Sequence, residues 1–144
     1  MTVSRLLFVL YIVLLAYFLF FSEHYGRTLV LDKYRYNLTL FKEVKRFITY
    51  RNEIGLESFV VNIIGNVLAF APFGFVLPII SVRNRKLLNI VLLSFEFSLT
   101  IEIIQLIYKV GIFDVDDLFM NTLGGMLGGI CFFIFHRILR AVRK

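Results

Sequence analysis

Between Phe59 and Ile80 the chain runs for twenty-two residues, FVVNIIGNVLAFAPFGFVLPII, without one charged side chain. About 20 apolar residues in a helix cross the hydrocarbon core of a bilayer, so this stretch reads as a membrane span. Three more apolar runs follow the same pattern: Leu6 to Phe21 (LLFVLYIVLLAYFLFF), Leu87 to Tyr108, which contains two carboxylates, and a last one beginning at Met120 that is rich in glycine and aromatics. Inside lipid the backbone must satisfy its own hydrogen bonds, and for single runs of this length only the helix does so. Composition agrees, since 59% of the 144 residues are hydrophobic and 18% charged, against about 45–50% and about 25% in soluble domains. Disorder, collagen, coiled coil and a disulfide-stapled secreted domain are excluded. The expected fold is all-α: one domain over residues 1–144, a four-helix transmembrane bundle with spans at about 6–21, 59–80, 87–108 and 120–139.

The first run follows Arg5 and could serve as a signal peptide, but Ser22, Glu23 and His24 after it provide no small-x-small cleavage site. It is therefore expected to stay as a helix. A lone cysteine, Cys131, excludes an internal disulfide and argues against a cysteine-rich zinc site. The net charge of +6 is expected to face anionic lipid headgroups rather than nucleic acid. Arg5, Arg83, Arg85, Lys86, Arg137, Arg140, Arg143 and Lys144 would share one side, in short segments without an acid, while the other eight basic residues lie opposite. The density near the helix ends predicts a multi-pass cell-membrane protein with both termini cytoplasmic and with segments 22–58 and 109–119 outside.

The connection from Ser22 to Ser58 is too polar to span. Leu40, Phe41, Val44, Phe47 and Ile48 recur there at helical spacing, with Lys42, Lys45, Arg46 and Arg51 at other positions. That pattern predicts an amphipathic helix between the first two spans. It would lie either in the membrane interface or against the protein's own surface, since both use the same apolar stripe.

An ionisable group inside a span costs roughly 2.5–3.5 kcal/mol on insertion scales, so each needs a reason. Glu102 and Gln105 are three apart, on one face near the outer end of the third span. Asp114, Asp116 and Asp117 follow a short turn, and Asn121 comes next on the last span. Asn62 and Asn66 are four apart on the second span, also near its outer end. Three helices thus direct polar groups to one level. Plainer roles exist for most of them. The asparagines can bridge helices, at about 0.6–2 kcal/mol per contact, and one aspartate can cap the last helix. Glu96 is a second intramembrane acid, six residues before Glu102 and about 120° around the helix, without an assigned role. Gly124 with Gly128, Gly125 with Gly129, and Gly65 with Ala69 form small-xxx-small pairs that favour close helix packing. Pro72 is expected to kink the second span near Gly74. His24 and His136 stand singly, and no metal site is expected at either.

The order and gaps of Asn62-Ile-Ile-Gly-Asn66, Phe70-Ala-Pro72-Phe-Gly74, Glu102-Ile-Ile-Gln105, Phe113-Asp-Val-Asp-Asp117, Asn121 and Gly124 resemble the VanZ-like family of bacterial membrane proteins, over about residues 27 to 130. Asn37-Leu38 with Phe41 resembles the family's asparagine-leucine-x-proline-phenylalanine segment, with Leu40 where proline is usual. Many members also carry an arginine just before the aspartate motif, where this chain has Lys109 and Gly111. The resemblance implies a small membrane protein with an outward-facing polar cluster. The founding member is linked to low-level resistance to teicoplanin, a lipid-bearing glycopeptide antibiotic.

Two functions fit these residues. In the first, Asn37, Asn62, Asn66, Glu102, Gln105, Asp114, Asp117 and Asn121 form an outward-facing pocket for the headgroup of a lipid-linked or glycan ligand, or for a lipoglycopeptide. Amides and carboxylates together offer donors and acceptors to sugar hydroxyls. In the second, Glu102 and Asp117 are catalytic groups of an intramembrane enzyme on a lipid-linked substrate, with Asp114 and Asp117 holding a divalent cation through oxygen ligands. No nucleophile paired with a base and no phosphate-cradling glycine loop supports the second. The expected partners are membrane lipids. The residues assign no cofactor and no oligomeric state.

Overall fold

The computed structural model describes residues 2–21, 32–50 and 56–143, apart from the side chains of residues 2, 43, 47, 56–59, 61 and 62. In chain order they form α1 (Thr2–Phe21), β1 (Tyr36–Asn37), α2 (Lys42–Tyr50), α3 (Leu56–Ile80), a 3-10 turn at Val82–Asn84, α4 (Leu87–Tyr108), β2 (Phe113–Asp114) and α5 (Val115–Val142). Among the described residues four helices are long and apolar enough to cross a bilayer, over Val3–Phe21, Ile63–Ile80, Leu87–Tyr108 and Val115–Val142. The expected four-helix membrane architecture is therefore present, and α2 falls where the amphipathic stretch predicted a helix.

Direction follows from the pairings. The Tyr11 hydroxyl donates to the Ala69 carbonyl and the Phe8 ring packs 5.8 Å from that of Phe73, so α1 and α3 run antiparallel. Gly125 lies against Ser94 and Gly129 against Ile90, so α4 and α5 are antiparallel too. Gly124 meets the backbone of Val67 and Gly128 that of Ala71, which makes α3 and α5 parallel. One end of the bundle therefore holds the start of α1, the turn with Arg83, Arg85 and Lys86, and the end of α5 with Arg137 and Arg140. This is the basic end. The other end holds β1, α2 and β2 and is called the clasp end below.

The glycines explain the tightest contact. A Cβ at Gly124 would run into the Val67 carbonyl, one at Gly128 into the Ala71 carbonyl, and one at Gly74 into the Gly125 carbonyl. Backbone thus lies on backbone, the close approach that small residues permit where lipid gives no hydrophobic drive between helices. Around this seam Phe70 and Phe73 of α3 meet Phe97 of α4, with Phe73 and Phe97 stacked at 4.9 Å. On the other side Leu15 and Leu19 of α1 pack on Phe70 and Ile101. Most of α1 faces outward, with Val3, Leu6, Leu10, Val13 and Tyr17 all exposed, as suits a lipid-facing helix.

Two local details depart from the sequence expectation. The last span starts at Val115 instead of 120, because Asp114 is extended (φ −127°, ψ 121°) and caps the helix, its carboxylate accepting the Asp116 N–H at 2.8 Å. Asp116 and Asp117 then sit in the first turn, where the helix dipole favours negative charge. The second detail is strand. β1 and β2 pair in parallel, Tyr36 opposite Phe113 and Asn37 opposite Asp114. Helix α3 runs continuously through Pro72 and Pro78.

The seam predicts a position-specific sensitivity. Gly128→Leu must push α5 off the Ala71 backbone and is expected to cost about 1–3 kcal/mol or more. Leu127→Ala, at an exposed neighbour on the same helix, is expected to stay near wild type. Folded yield and thermal unfolding in detergent compare the two.

Candidate functional site at the clasp end

The first turn of α5 is where the polar side chains converge. Asp114 Oδ1 accepts from the Asn37 side-chain amide at 3.0 Å as well as from the Asp116 N–H, while the Asp114 N–H donates to Glu102 Oε2 at 3.0 Å. One residue thereby joins β1, α4 and α5. Asp116, buried, accepts the Phe41 N–H through its carboxylate. Asp117 Oδ1 accepts from the Asn66 side-chain amide at 2.6 Å and so joins α5 to α3.

The strap that carries Asn37 is held at several points. Asn37 Oδ1 accepts the Thr39 N–H at 3.2 Å in a local turn, and the Phe113 N–H donates to the Arg35 carbonyl at 3.1 Å. Phe41 has φ 60°, a left-handed conformation unusual for a bulky residue and costing on the order of 1–3 kcal/mol. Its surroundings hold it there. Its N–H is taken by Asp116, its carbonyl accepts the Lys45 N–H at 2.9 Å to open α2, and its ring packs edge-on to Phe119 at 5.4 Å. Across the strap, the Lys109 ammonium lies 4.8 Å from the Tyr34 ring centre. Lys109 itself ends α4 in a left-handed cap (φ 56°), its N–H turned to the Gln105 and Leu106 carbonyls.

The eight residues singled out from the sequence are thus placed unequally. Asn66 and Asp117 form a half-buried pair, and Asp114 is half-buried beside them. Asn37, Glu102, Gln105 and Asn121 are buried. Gln105 is turned away from the aspartates, its amide donating to the Leu19 carbonyl at 2.9 Å and tying α4 to α1. Asn121 lies one turn deeper, donating to Ser98 Oγ at 2.9 Å, while its own carbonyl oxygen is buried with no partner among the described residues. The side chain of Asn62 lies outside the described residues.

Ser94 and Ser98 were absent from the sequence expectation, although Ser94, Ser98, Glu102 and Gln105 follow one another at helical spacing and all line the buried face of α4. The periodicity was available; small hydroxyls in an apolar helix attract no notice because they can bond their own turn, as Ser94 does to the Ile90 carbonyl. No group of three or more His, Cys, Asp or Glu among the described residues is disposed to hold a metal ion. The carboxylates of Asp114, Asp116 and Glu102 accept backbone N–H groups.

Comparison with known proteins identifies the family. The sequence model of the family described as VanZ/LLP1 matches residues 8–136. The chain belongs to the VanZ/LLP1 family. A curated relative, Protein VanZ of Enterococcus faecium, is 36% identical over 109 residues, which cover 69% of this chain and 62% of the relative. The aligned part thus falls short of two thirds of that protein's length. No solved structure matches. The matched region of this VanZ-family chain contains the whole described polar cluster, from Asn37 to Asn121.

The shared Asp114 carboxylate makes a quantitative expectation. Asp114→Ala removes the cap of α5 and is expected to cost about 0.5–2 kcal/mol. Asn37→Ala should add little in that background, because its acceptor has already gone. A double-mutant cycle in detergent-solubilised protein measures this, and strict additivity would mean that the 3.0 Å bond carries no energy.

Proposed function

We propose that this VanZ-family membrane protein binds the polar headgroup of a lipid-linked or glycan envelope ligand at its clasp end, on the extracytoplasmic surface. The observation that carries this reading is the Asn66–Asp117 pair. It bridges α3 and α5 near the rim of the apolar span, it is half-buried rather than sealed, and it sets an amide beside a carboxylate. That combination suits hydroxyl-rich headgroups, which need donors and acceptors together. In this reading Asn66 and Asp117 touch the ligand. Asn37, Glu102, Gln105, Asp114 and Asn121, engaged inside the bundle or the clasp, position them.

Location and orientation follow from the same features. Lys and Arg are equal in number on the two sides, eight each, but at the basic end they lie close to the helix ends in short segments that contain no acid, so in this reading that end is cytoplasmic by the positive-inside tendency. At the clasp end α2 exposes Lys42, Lys45 and Arg46 together with Ile48, and Tyr34, Tyr36, Tyr50 and Tyr108 are exposed around it. Exposed tyrosines and a basic amphipathic helix both belong to the headgroup layer, which supports an interfacial position for α2. An acyl chain in the adjacent lipid and a headgroup at Asn66 and Asp117 would then be held by one molecule. Teicoplanin, a lipid-bearing glycopeptide, presents the same two parts, and resistance follows in this reading from engaging it or a lipid-linked envelope precursor at the surface.

The test uses the full chain in nanodiscs, titrated with teicoplanin and with a labelled lipid-linked cell-wall precursor. Saturable binding of either is expected, weakened at least about tenfold by Asp117→Asn while folded yield stays near normal. Absence of binding to both probes overturns the proposal. Appearance of a reaction product that Glu102→Gln abolishes would replace binding by catalysis. For orientation, Tyr36→Cys in a Cys131→Ser background is expected to react with a membrane-impermeant maleimide on intact cells. Labelling only after the cytoplasm is opened would reverse the assignment.

A further inference from the structure

Glu96 stands apart from the polar network. It lies on α4 six residues before Glu102, but it is exposed on the outside of the bundle, and among the described residues none gives its carboxyl a hydrogen bond or an ion pair. Nine residues separate it from Leu87 and twelve from Tyr108, about 14 and about 18 Å along the helix. Its short side chain therefore reaches neither headgroup layer. An ionisable group at such depth, facing lipid, is strongly disfavoured unless it pairs with another polar group.

No cation of the described spanning helices lies near the depth of Glu96. Within the spanning helices Lys and Arg occur only near the basic end, as Arg5, Arg137 and Arg140. The surroundings of Glu96 point instead to a like surface. Asn89, Leu92, Glu96, Leu99, Ile103 and Leu106 alternate in steps of three and four, and so form one stripe along α4. That is the spacing of a left-handed helix–helix seam, the commonest packing between membrane helices. Leu92 and Ile103, on either side of Glu96, are 49% and 42% exposed, while Asn89, Leu99 and Leu106 are half-buried, so the stripe is open to the outside along its middle.

We propose that two copies of this chain associate through this α4 stripe, with the two Glu96 carboxyl groups hydrogen-bonded to each other. Copies inserted in the same sense carry Glu96 at the same depth. A two-fold axis along the membrane normal then sets each Glu96 against its counterpart in one layer of the seam. The contact is self-complementary, as a two-fold interface requires. A carboxyl O–H of one copy donates to a carboxyl oxygen of the other, so that neither group is left bare in lipid. A foreign helix would satisfy Glu96 only with a Lys or Arg placed at that depth, whereas a second copy brings a polar group to that depth by symmetry alone.

The experiment uses full-length protein in nanodiscs or native membranes, with Cys131→Ser as background. Oxidation of Leu99→Cys is expected to give a disulfide-linked dimer at least about fivefold more efficiently than oxidation of Val13→Cys, on the lipid-facing side of α1. The dimer dissociation constant, measured by subunit exchange between labelled copies, should rise about 5- to 30-fold in Glu96→Leu, the range expected of one hydrogen bond between membrane helices. Glu96→Gln, whose amides can pair in the same way, should stay within about threefold of wild type. Equal cross-linking at positions 99 and 13, or a dissociation constant unchanged in Glu96→Leu, overturns the proposal. So does a monomeric wild-type chain whose position 99 cross-links in cells to a different protein, which would assign the stripe to a partner with a cationic span. Because Glu96 is exposed, Glu96→Leu removes no contact within the bundle, and loss of its dimer cannot be read as misfolding while its yield matches wild type.

Discussion

Everything at the clasp end depends on how closely α3 and α5 approach each other. Apolar side chains gain nothing by leaving lipid for one another, so two membrane helices must be held by close van der Waals contact or by polar bonds. Here Gly124 and Gly128 rest on the Val67 and Ala71 carbonyls, and Gly74 meets Gly125 backbone to backbone. Only at that separation can the side chain of Asn66 reach Asp117 in the first turn of α5. With a larger residue at Gly124 or Gly128 the two polar groups would face each other across a gap filled by lipid, and each would lose its partner.

The second level is the clasp, and it is built on the exposed ends of helices. The leading N–H groups of α5 have no partners within the helix. Asp114 takes one of them, and it uses the same oxygen to hold Asn37 from a strap seventy-seven residues away in sequence. Asp116 and Glu102 accept N–H groups from the strap and from the start of α5. The acidic run that looks like a solvated loop is therefore a set of acceptors, Asp114 and Asp116 for backbone N–H groups and Asp114 and Asp117 for the side-chain amides of Asn37 and Asn66. The left-handed Phe41 is the conformational cost of that arrangement, since it lets one residue donate to Asp116 and open α2 together.

The sequence revealed the parts that obey a period. Long apolar runs gave four spans whose ends fall within a few residues of the helices observed, apart from the early start of α5, and the glycine pairs anticipated close helix packing without saying which helices would meet. Asn66 was legible because a polar residue in an apolar helix stands out, and Asp117 because its turn returns the chain to the level of Glu102 and Gln105. What the sequence hid is tertiary. Nothing local says that Gln105 turns to α1, that two residues of the strap pair with two before α5, or that Asn121 finds Ser98 rather than the aspartates. The start of α5 was missed for a different reason: with Asp114 as cap, a run of acids becomes a favourable first turn, whereas by composition alone it reads as loop.

Glu96 and Glu102 show how far helix geometry decides chemistry. They share a helix and a side chain, and the angle of about 120° between them is fixed by the helical repeat. That angle was readable at once, but not which of the two would face inward. The bundle settles it through Ser94, Ser98 and Gln105, which turn the same side of α4 toward α5 and α1 and carry Glu102 with them. Glu102 is thereby engaged by Asp114, while the Glu96 carboxyl has no hydrogen-bond or ion-pair partner among the described residues. Once one face of α4 is committed to the polar interior, the acid on the other face is left without a partner among the described residues, and in the proposed dimer the membrane makes that a condition on assembly rather than on folding.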